Sequence, residues 1–424
     1  MTELYVNNFR GFRDTFIPID KVNFLIGENS TGKTSILKLV RVLSDERFWI
    51  DFDLNACGFH FGYFNELCDK YFFEIGCLIN DDLAIKIKYE NKNGIAVPVD
   101  YRLINSVRDV HVFVEIEKVV FNYESISKKN ESKNIISFRN WINNNPIPNE
   151  KYRVLPNSEV RTHINSGLMV ALIFSSKDPN LSLNDVENIM FTKEYTRDLI
   201  WLAPIRAEPK RTYDNYKVNF SPDGSHIPFL LKNLLPTPQS NGKERDAFQA
   251  ALNKFGQDSG LFDKIEVKVL GDEQTSPLEI RVFFGENDVK ISNVGYGVSQ
   301  ILPLIIEVLA KEKDMWYAIQ QPEIHLHPRG QAAFGELIYD TQKADNKTFI
   351  IETHSDYIVD RFRLCVNKDK EETSDEFQVL FFERTKDGNK VTPIKIQPNG
   401  KYADEQPQSF QEFFIKEQLE LIKL

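Results

Sequence analysis

The chain is poor in the residues that staple or anchor a protein. Among 424 residues there are four cysteines. Cys57, Cys68, Cys77 and Cys365 form no C-x-x-C pair, which argues against a zinc ribbon and for a reduced compartment. No run of about 18 uncharged apolar residues occurs, so no membrane span and no membrane partner is expected. Met1 to Phe9 lacks the charged-then-apolar layout of a secretory leader, and a cytoplasmic location is expected. Positive charge is not in excess. Lys and Arg number 52 against 62 Asp and Glu, a net charge of −10, which speaks against a uniformly basic nucleic-acid binder. No internal repeat is visible. With 42% hydrophobic residues the chain can nevertheless bury a full core, in two or three units.

The most informative stretch is Gly27-Glu28-Asn29-Ser30-Thr31-Gly32-Lys33-Thr34. It fits G-x-x-x-x-G-K-[ST] at every fixed position, with an apolar run Val22–Ile26 before it and a helix-favouring run Ser35–Leu43 after it. A strand, a glycine turn and a helix start bring several backbone N–H groups onto one anion. Asn29 through Ser35 therefore form a candidate site for a nucleoside triphosphate. Lys33 reaches for the outer phosphates and the Thr34 hydroxyl for Mg2+. The alternative is a chance glycine turn.

Leu4–Phe9 and Asp14–Ile19 read as strands ahead of the P-loop strand, and Asp45 to Leu67 resists assignment. Phe72–Ile79, Leu83–Tyr89, Ile95–Leu103 and Val110–Tyr123 are rich in β-branched and aromatic residues and predict an antiparallel meander. Ser127–Asn157 is polar and reads as an inserted loop or lid. A helix is expected over Val186–Leu199, a strand over Ile200–Ala203, a loop over Arg211–Pro228, a helix over Lys243–Phe255, and strands over Lys264–Val269 and Leu278–Phe284. Helices at Ser299–Ala310, Arg329–Tyr339 and Asp356–Leu364 alternate with strands at Met315–Ile319 and Thr348–Glu352, which implies a largely parallel, helix-covered sheet. A hairpin (Gln378–Glu383, Lys390–Ile396) and a helix (Ser409–Ile422) close the chain. The fold class expected is α/β, with a mixed sheet, an antiparallel β part and a helical insertion. The chain divides roughly into 1–70, 71–200, 201–384 and 385–424.

Three further segments qualify the P-loop. Ser292 to Gln300, with Gly295 and Gly297, is a glycine and hydroxyl turn opening a helix, suited to a second phosphate-binding surface or to ordinary capping. Gln320-Gln321-Pro322-Glu323-Ile324-His325-Leu326-His327-Pro328 ends an apolar strand in polar groups. Its two histidines alone lack the third ligand of a metal site. Glu352-Thr353-His354-Ser355 places a histidine just beyond a buried strand. Together these segments resemble the signature, Walker B with D-loop, and switch histidine of ABC-type ATPases, specifically the RecF, SMC and OLD-like branch. Asn8-Phe9-Arg10-Gly11-Phe12, Trp201 to Pro209 and Gln397 to Phe414 resemble the same branch, including its small stand-alone bacterial members. The resemblance implies an ABC-ATPase-like head that binds ATP and Mg2+, with Arg10 near the phosphates. It implies that Ser292, Gly295 and Gly297 touch the nucleotide of a second copy, and that His354 meets the terminal phosphate.

One departure stands out. That branch places acidic residues before Pro322, the first for Mg2+ and the second for the attacking water, and here Gln320 and Gln321 stand there. An amide is a poor base and a weaker Mg2+ ligand than a carboxylate. The pair fits either an engineered exchange that holds ATP unhydrolysed or a slow natural ATPase, with Glu323 in partial compensation. A Q-loop glutamine is also missing around His60–Leu67. The resemblance implies an ATP-sandwich homodimer, or higher oligomer, that controls a separate effector such as a nuclease in anti-phage defence. Alternatively, it implies a RecF-like repair ATPase that binds DNA through basic groups near Lys128–Lys133 or Lys210 and Arg211. An ABC transporter subunit fits the opening hairpin and the Pro322–Pro328 form poorly.

Overall fold

A computed structural model describes residues 1–55, 58, 60–106, 108–114, 118–125, 138–156, 198–214, 219–235, 242–273, 276–369 and 376–413. By their contacts the residues group into two units. One comprises residues 1–20, 28–198 and 380–393, the other 21–27, 199–379 and 394–424.

The chain opens with β1 (Glu3–Asn7), β2 (Thr15–Pro18) and β3 (Val22–Gly27), and β3 leads into α1 (Lys33–Leu43). Asp45 to Leu67, unassigned from sequence, contains α2 (Glu46–Asp51) and α3 (Phe64–Leu67). The meander follows as β4 (Phe72–Ile79), β5 (Leu83–Lys92), β6 (Ile95–Ile104), β7 (Arg108–Val114) and β8 (Lys118–Ser125), then α4 (Phe138–Asn143) and β9 (Arg153–Pro156). The stretch Val110–Tyr123 is thus two strands rather than one.

In the first unit these strands form an eight-stranded antiparallel sheet, β2-β1-β4-β5-β6-β7-β8-β9. Period-two alternation explains it: Phe73, Ile75, Cys77 and Ile79 of β4 are buried together on one face. On the other face Glu74 pairs with Lys86 at 2.8 Å, both almost out of solvent. The polar stretch read as a lid holds ordered structure as well. Phe138, Trp141 and Ile142 of α4 sit at i, i+3 and i+4 and pack on Tyr5 and Ala84 of the sheet. Lys86 Nζ donates to the Ile142 carbonyl at 3.2 Å, satisfying an orphan acceptor near the helix end.

After β3, the second unit continues with β10 (Leu199–Leu202), α5 (Ile227–Leu234) and α6 (Lys243–Ser259). The helix expected over Val186–Leu199 lies outside the described residues up to 197, and its last residue starts β10. The loop expected over Arg211–Pro228 gives way at its end to α5, with Pro228 in the first turn, where its missing N–H costs nothing. A small antiparallel sheet, β11 (Lys264–Val269), β12 (Leu278–Phe284) and β13 (Asn287–Lys290), leads through a 3-10 turn (Ile291–Asn293) into α7 (Tyr296–Ala310). Then come β14 (Trp316–Gln320), α8 (Pro328–Asp345), β15 (Thr348–Glu352), α9 (Asp356–Lys368), β16 (Phe377–Thr385), β17 (Gly388–Lys395) and α10 (Gln408–Phe413). The rest of the expected terminal helix lies outside the described residues, as does Lys128–Lys133.

β10, β14, β15 and β3 lie side by side in parallel, and β16 and β17 follow β3 in the sheet order. Tyr317–Ile319 and Phe349–Ile351 are buried without alternation, as strands covered on both faces must be. A polar contact runs through this core. The Asn23 amide of β3 donates to the Phe349 carbonyl at 3.1 Å and accepts from Gln378 Nε2 at 2.7 Å, all buried. Among the described residues, no helix is long and apolar enough to cross a membrane. The expected α/β class, with parallel and antiparallel sheets, is what the chain has.

Candidate active site

The P-loop forms where the motif puts it, between β3 and α1. Ser30 (φ 61) and Gly32 (φ 93) take left-handed backbone, which turns the loop sharply. A Cβ on Gly32 would lie 2.4 Å from the Phe12 ring, so both the dihedral and the aromatic floor require glycine there. Thr31 Oγ1 donates to the Glu28 carbonyl at 2.8 Å, and Lys33 Nζ donates to the same carbonyl at 2.6 Å. Arg384 donates to the Ser30 carbonyl at 2.7 Å. The first-turn N–H groups of α1 have no side-chain cap from Gly32, and Thr34 and Ser35 are half-buried in that turn. Glu28, Asn29 and Ser30 are exposed. Such a loop presents N–H donors and the positive end of a helix to an anion. Arg10 (φ 51) is half-buried. Its guanidinium donates to the Phe61 carbonyl, and its own carbonyl accepts from Asn389 at 2.9 Å.

In the second unit the three later motifs converge. Gln320 ends β14 in register with Glu352, the last residue of β15. Gln321 turns away at φ 45, a left-handed backbone that costs a non-glycine residue about 1 kcal/mol, and its N–H donates to the Glu352 carbonyl at 2.8 Å. Glu323 reaches across to the residues that follow β15. Its Oε2 accepts from the Thr353 hydroxyl at 2.9 Å and its Oε1 from the His354 N–H at 2.7 Å. Both oxygens of the residue read as a compensating acid therefore hold the switch segment. The Thr353 N–H donates to Leu25 of β3, which ties that segment to the strand entering the P-loop. His354 is exposed.

The two other histidines have structural work. His327 Nδ1 accepts from the Gly330 N–H at 3.3 Å and caps α8. His325 (φ 65) stacks edge-on to Tyr296 at 4.8 Å. No cluster of three metal-ligating side chains occurs among the described residues. The Tyr296–His325 contact also joins the start of α7 to the turn that follows β14. A Cβ on Gly297 would lie 2.7 Å from the His325 carbonyl oxygen, so only glycine admits this approach. Gly295 and Tyr296 at the start of α7 are exposed, and no side chain caps that start. Ser292 is half-buried, its hydroxyl donating to Asn293 Oδ1 at 3.2 Å.

The family follows from a match along most of the chain: the AAA ATPase domain model covers residues 1–359. The chain belongs to the AAA ATPase domain family. As a member it is an ATPase. None of the curated proteins compared with this AAA ATPase matches it. Among solved structures it is similar to an SMC head bound to the C-winged helix domain of ScpA, at 13% identity over 93% of this chain and 97% of that one, with a TM-score of 0.42. It is similar to the SMC head domain from Thermotoga maritima at 12% identity over 92% and 98%, TM-score 0.38. It is also similar to the recombination mediator protein RecF, at 12% over 92% and 97%, TM-score 0.32.

The sequence reading of this AAA ATPase passed over two arginines. Arg384 holds the P-loop from a hairpin far along the chain, and no motif marks it. Arg206, quoted only for its familiar setting, is 3% exposed, and none of its three guanidinium nitrogens has a hydrogen-bond partner among the described residues. Burial pulls its pKa down to about 10, against the charge of Glu323, which pulls it up. The charge on Arg206 thus acts on the carboxylate that clasps Thr353 and His354.

Proposed function

We propose that this ATPase is an ATP-driven switch of the RecF, SMC and OLD-like branch. Two copies close head to tail around two ATP molecules, each P-loop holding one nucleotide and the start of α7 in the other copy completing the pocket. Lys33 and the N–H groups of residues 29–35 bind the phosphates, Thr34 and Gln320 serve Mg2+, and His354 responds to the terminal phosphate. Turnover is slow, because Gln321 offers the attacking water no base. The nucleotide then acts chiefly as glue, and its loss releases the pair. The closed pair controls a separate effector, a nuclease in an anti-phage system.

The observation that carries this reading is the exposed, uncapped start of α7, locked by Gly297 onto the segment that follows Gln320 and Gln321. Donors at a helix start that carries no side-chain cap suit the phosphates of a neighbour. Mass measurement of the full chain with and without ATP and Mg2+ tests it. A nucleotide-dependent dimer or higher assembly is expected, and an unchanged monomer at saturating ATP overturns it. Co-purification with a separate nuclease, lost when the P-loop is disabled, tests the effector.

A further inference from the structure

The P-loop is gripped by a residue from the far end of the chain. Arg384, next to last in β16, donates from its guanidinium to the Ser30 carbonyl at 2.7 Å. Ser30 stands in left-handed backbone at φ 61, a conformation that a residue with a side chain keeps only where its surroundings enforce it. A trans peptide points its C=O and its N–H in opposite directions. A guanidinium on the Ser30 carbonyl therefore aims the N–H of Thr31 away from Arg384, and so sets the direction of one donor in the loop.

The turn that carries Arg384 is itself fixed. The Asn389 N–H donates to the Gly11 carbonyl at 2.8 Å, and its side-chain amide donates to the Arg10 carbonyl at 2.9 Å. A Cβ on Gly388 would lie 2.4 Å from the Gly11 carbonyl oxygen, so the turn and the Arg10–Phe12 segment meet backbone to backbone. Thr385 Oγ1 donates to the Gly388 carbonyl at 2.8 Å and closes the turn. Phe12 packs edge-on to Phe382 at 6.1 Å and lies beneath Gly32. All these residues belong to the first unit. Ser30 and Gly32, the two left-handed residues inside the loop, thus both rest on contacts that lead to β16 and β17. Arg384 and Ser30 are exposed, and a surface bond of this kind adds little to stability. Its effect is on geometry.

We propose that Arg384 is a positioning residue for nucleotide binding: it holds Ser30 in the left-handed conformation before the nucleotide arrives, so that the phosphates meet a preformed loop. The role rests on nucleotide binding at the P-loop and goes beyond it in giving the loop's geometry to a residue 354 positions away. A loop ordered in advance loses less freedom when its ligand binds, which raises affinity. A brace that serves the bound substrate and the transition state alike changes KM and leaves kcat alone.

The test uses the full chain, a fluorescent non-hydrolysable ATP analogue, steady-state ATP hydrolysis and urea unfolding. In Arg384→Met, analogue affinity falls about fivefold or more and KM rises in step, with kcat within about twofold of wild type. The urea midpoint stays where it is. The ratio of wild-type to variant affinity is the same at about 0.05 M and about 0.5 M KCl, because a held backbone is not screened as a distant charge is. Unchanged affinity overturns the proposal. So does a loss that vanishes at the higher salt, which makes Arg384 a surface charge, or one matched by a fall in the urea midpoint, which makes it a general structural contact. If Arg384→Met fails to fold, Arg384→Gln, whose shorter side chain stops short of Ser30, is read in the same way. Wild-type analogue binding that survives Lys33→Ala refutes the P-loop reading itself. Binding that is lost in Lys33→Ala but untouched in Arg384→Met refutes only the brace.

Discussion

Glu323 Oε1 accepts the backbone N–H of His354 at 2.7 Å. The contact joins the turn after β14 to the turn after β15, and its other oxygen repeats the link through Thr353. Arg206, buried nearby with no hydrogen bond to its guanidinium among the described residues, feels the same carboxylate. Removing the charge of Glu323 therefore disturbs two things together. Glu323→Gln should cost on the order of 1–3 kcal/mol in urea unfolding, because Arg206 loses its counter-charge and one donor loses its acceptor. Arg206→Met alone should be close to neutral, since an apolar side chain replaces a desolvated cation. The double variant should recover part of the Glu323→Gln loss. Additive effects in this cycle would show that the two residues are uncoupled.

Gly32→Ala should abolish ATP binding without unfolding the chain. The new methyl group meets the Phe12 ring at 2.4 Å in a left-handed backbone, so the loop must open to admit it. Titration with a fluorescent ATP analogue should show at least a tenfold loss of affinity, with the circular dichroism spectrum unchanged. Retained affinity would mean that the loop tolerates a second geometry.

Gly297→Ala places a methyl group 2.7 Å from the His325 carbonyl, a backbone atom that cannot swing aside. The start of α7 should be pushed off the turn that follows β14. Nucleotide binding to the isolated subunit should persist while ATP-dependent assembly is lost, read by light scattering on a sizing column. Assembly at wild-type strength would separate this contact from pairing.

Asp45 caps α2, its Oδ1 accepting the Arg47 N–H at 3.1 Å. Burial opposes its charge, but the side-chain and backbone hydrogen bonds of Arg47 and the charges of Arg41 and Arg47 outweigh burial and hold the carboxyl below its ordinary value. A lowered native pKa stabilises the folded chain fully above the unfolded carboxylate value of about 3.9 and loses that contribution as pH falls through the lower native value. Asp45→Asn should thus be less stable by about 1 kcal/mol at pH 7, through weaker bonds from the Arg47 guanidinium, and the gap to wild type should close in acid. Urea midpoints at pH 7 and pH 3 decide this, and a gap that persists at pH 3 would rule out the charge as its source.

Much of the fold could be read from residue pattern alone. Phe72–Ile79, Lys264–Val269, Leu278–Phe284 and Thr348–Glu352 are strands with the bounds that alternation and apolar runs predict. The misses have local causes. Val114 to Lys118 carries no glycine, proline or asparagine and alternates as a strand does, so the change from β7 to β8 leaves no mark. α4 lies in a polar stretch, where its three apolar residues are too few to show a period. β13 is polar and sits at an edge, and Pro228 looked like a loop residue though it starts a helix. For the site, the P-loop was legible because strand, glycine turn and helix are consecutive. Contacts made by folding across long separations were not: Phe12 beneath Gly32, Arg384 on Ser30, Glu323 on His354, and Glu352 beside Gln320.

The Asn23 amide, wedged between the Phe349 carbonyl and the Gln378 side chain, has a bearing on accuracy of assembly. Were β3 to slide one residue along β15, this amide would exchange faces with its apolar neighbours and be stranded in hydrocarbon, at a penalty of roughly 1–3 kcal/mol. Apolar strands alone would tolerate such misalignment more readily. A single polar side chain deep in the core thereby sets the zero mark from which the nucleotide loop is measured.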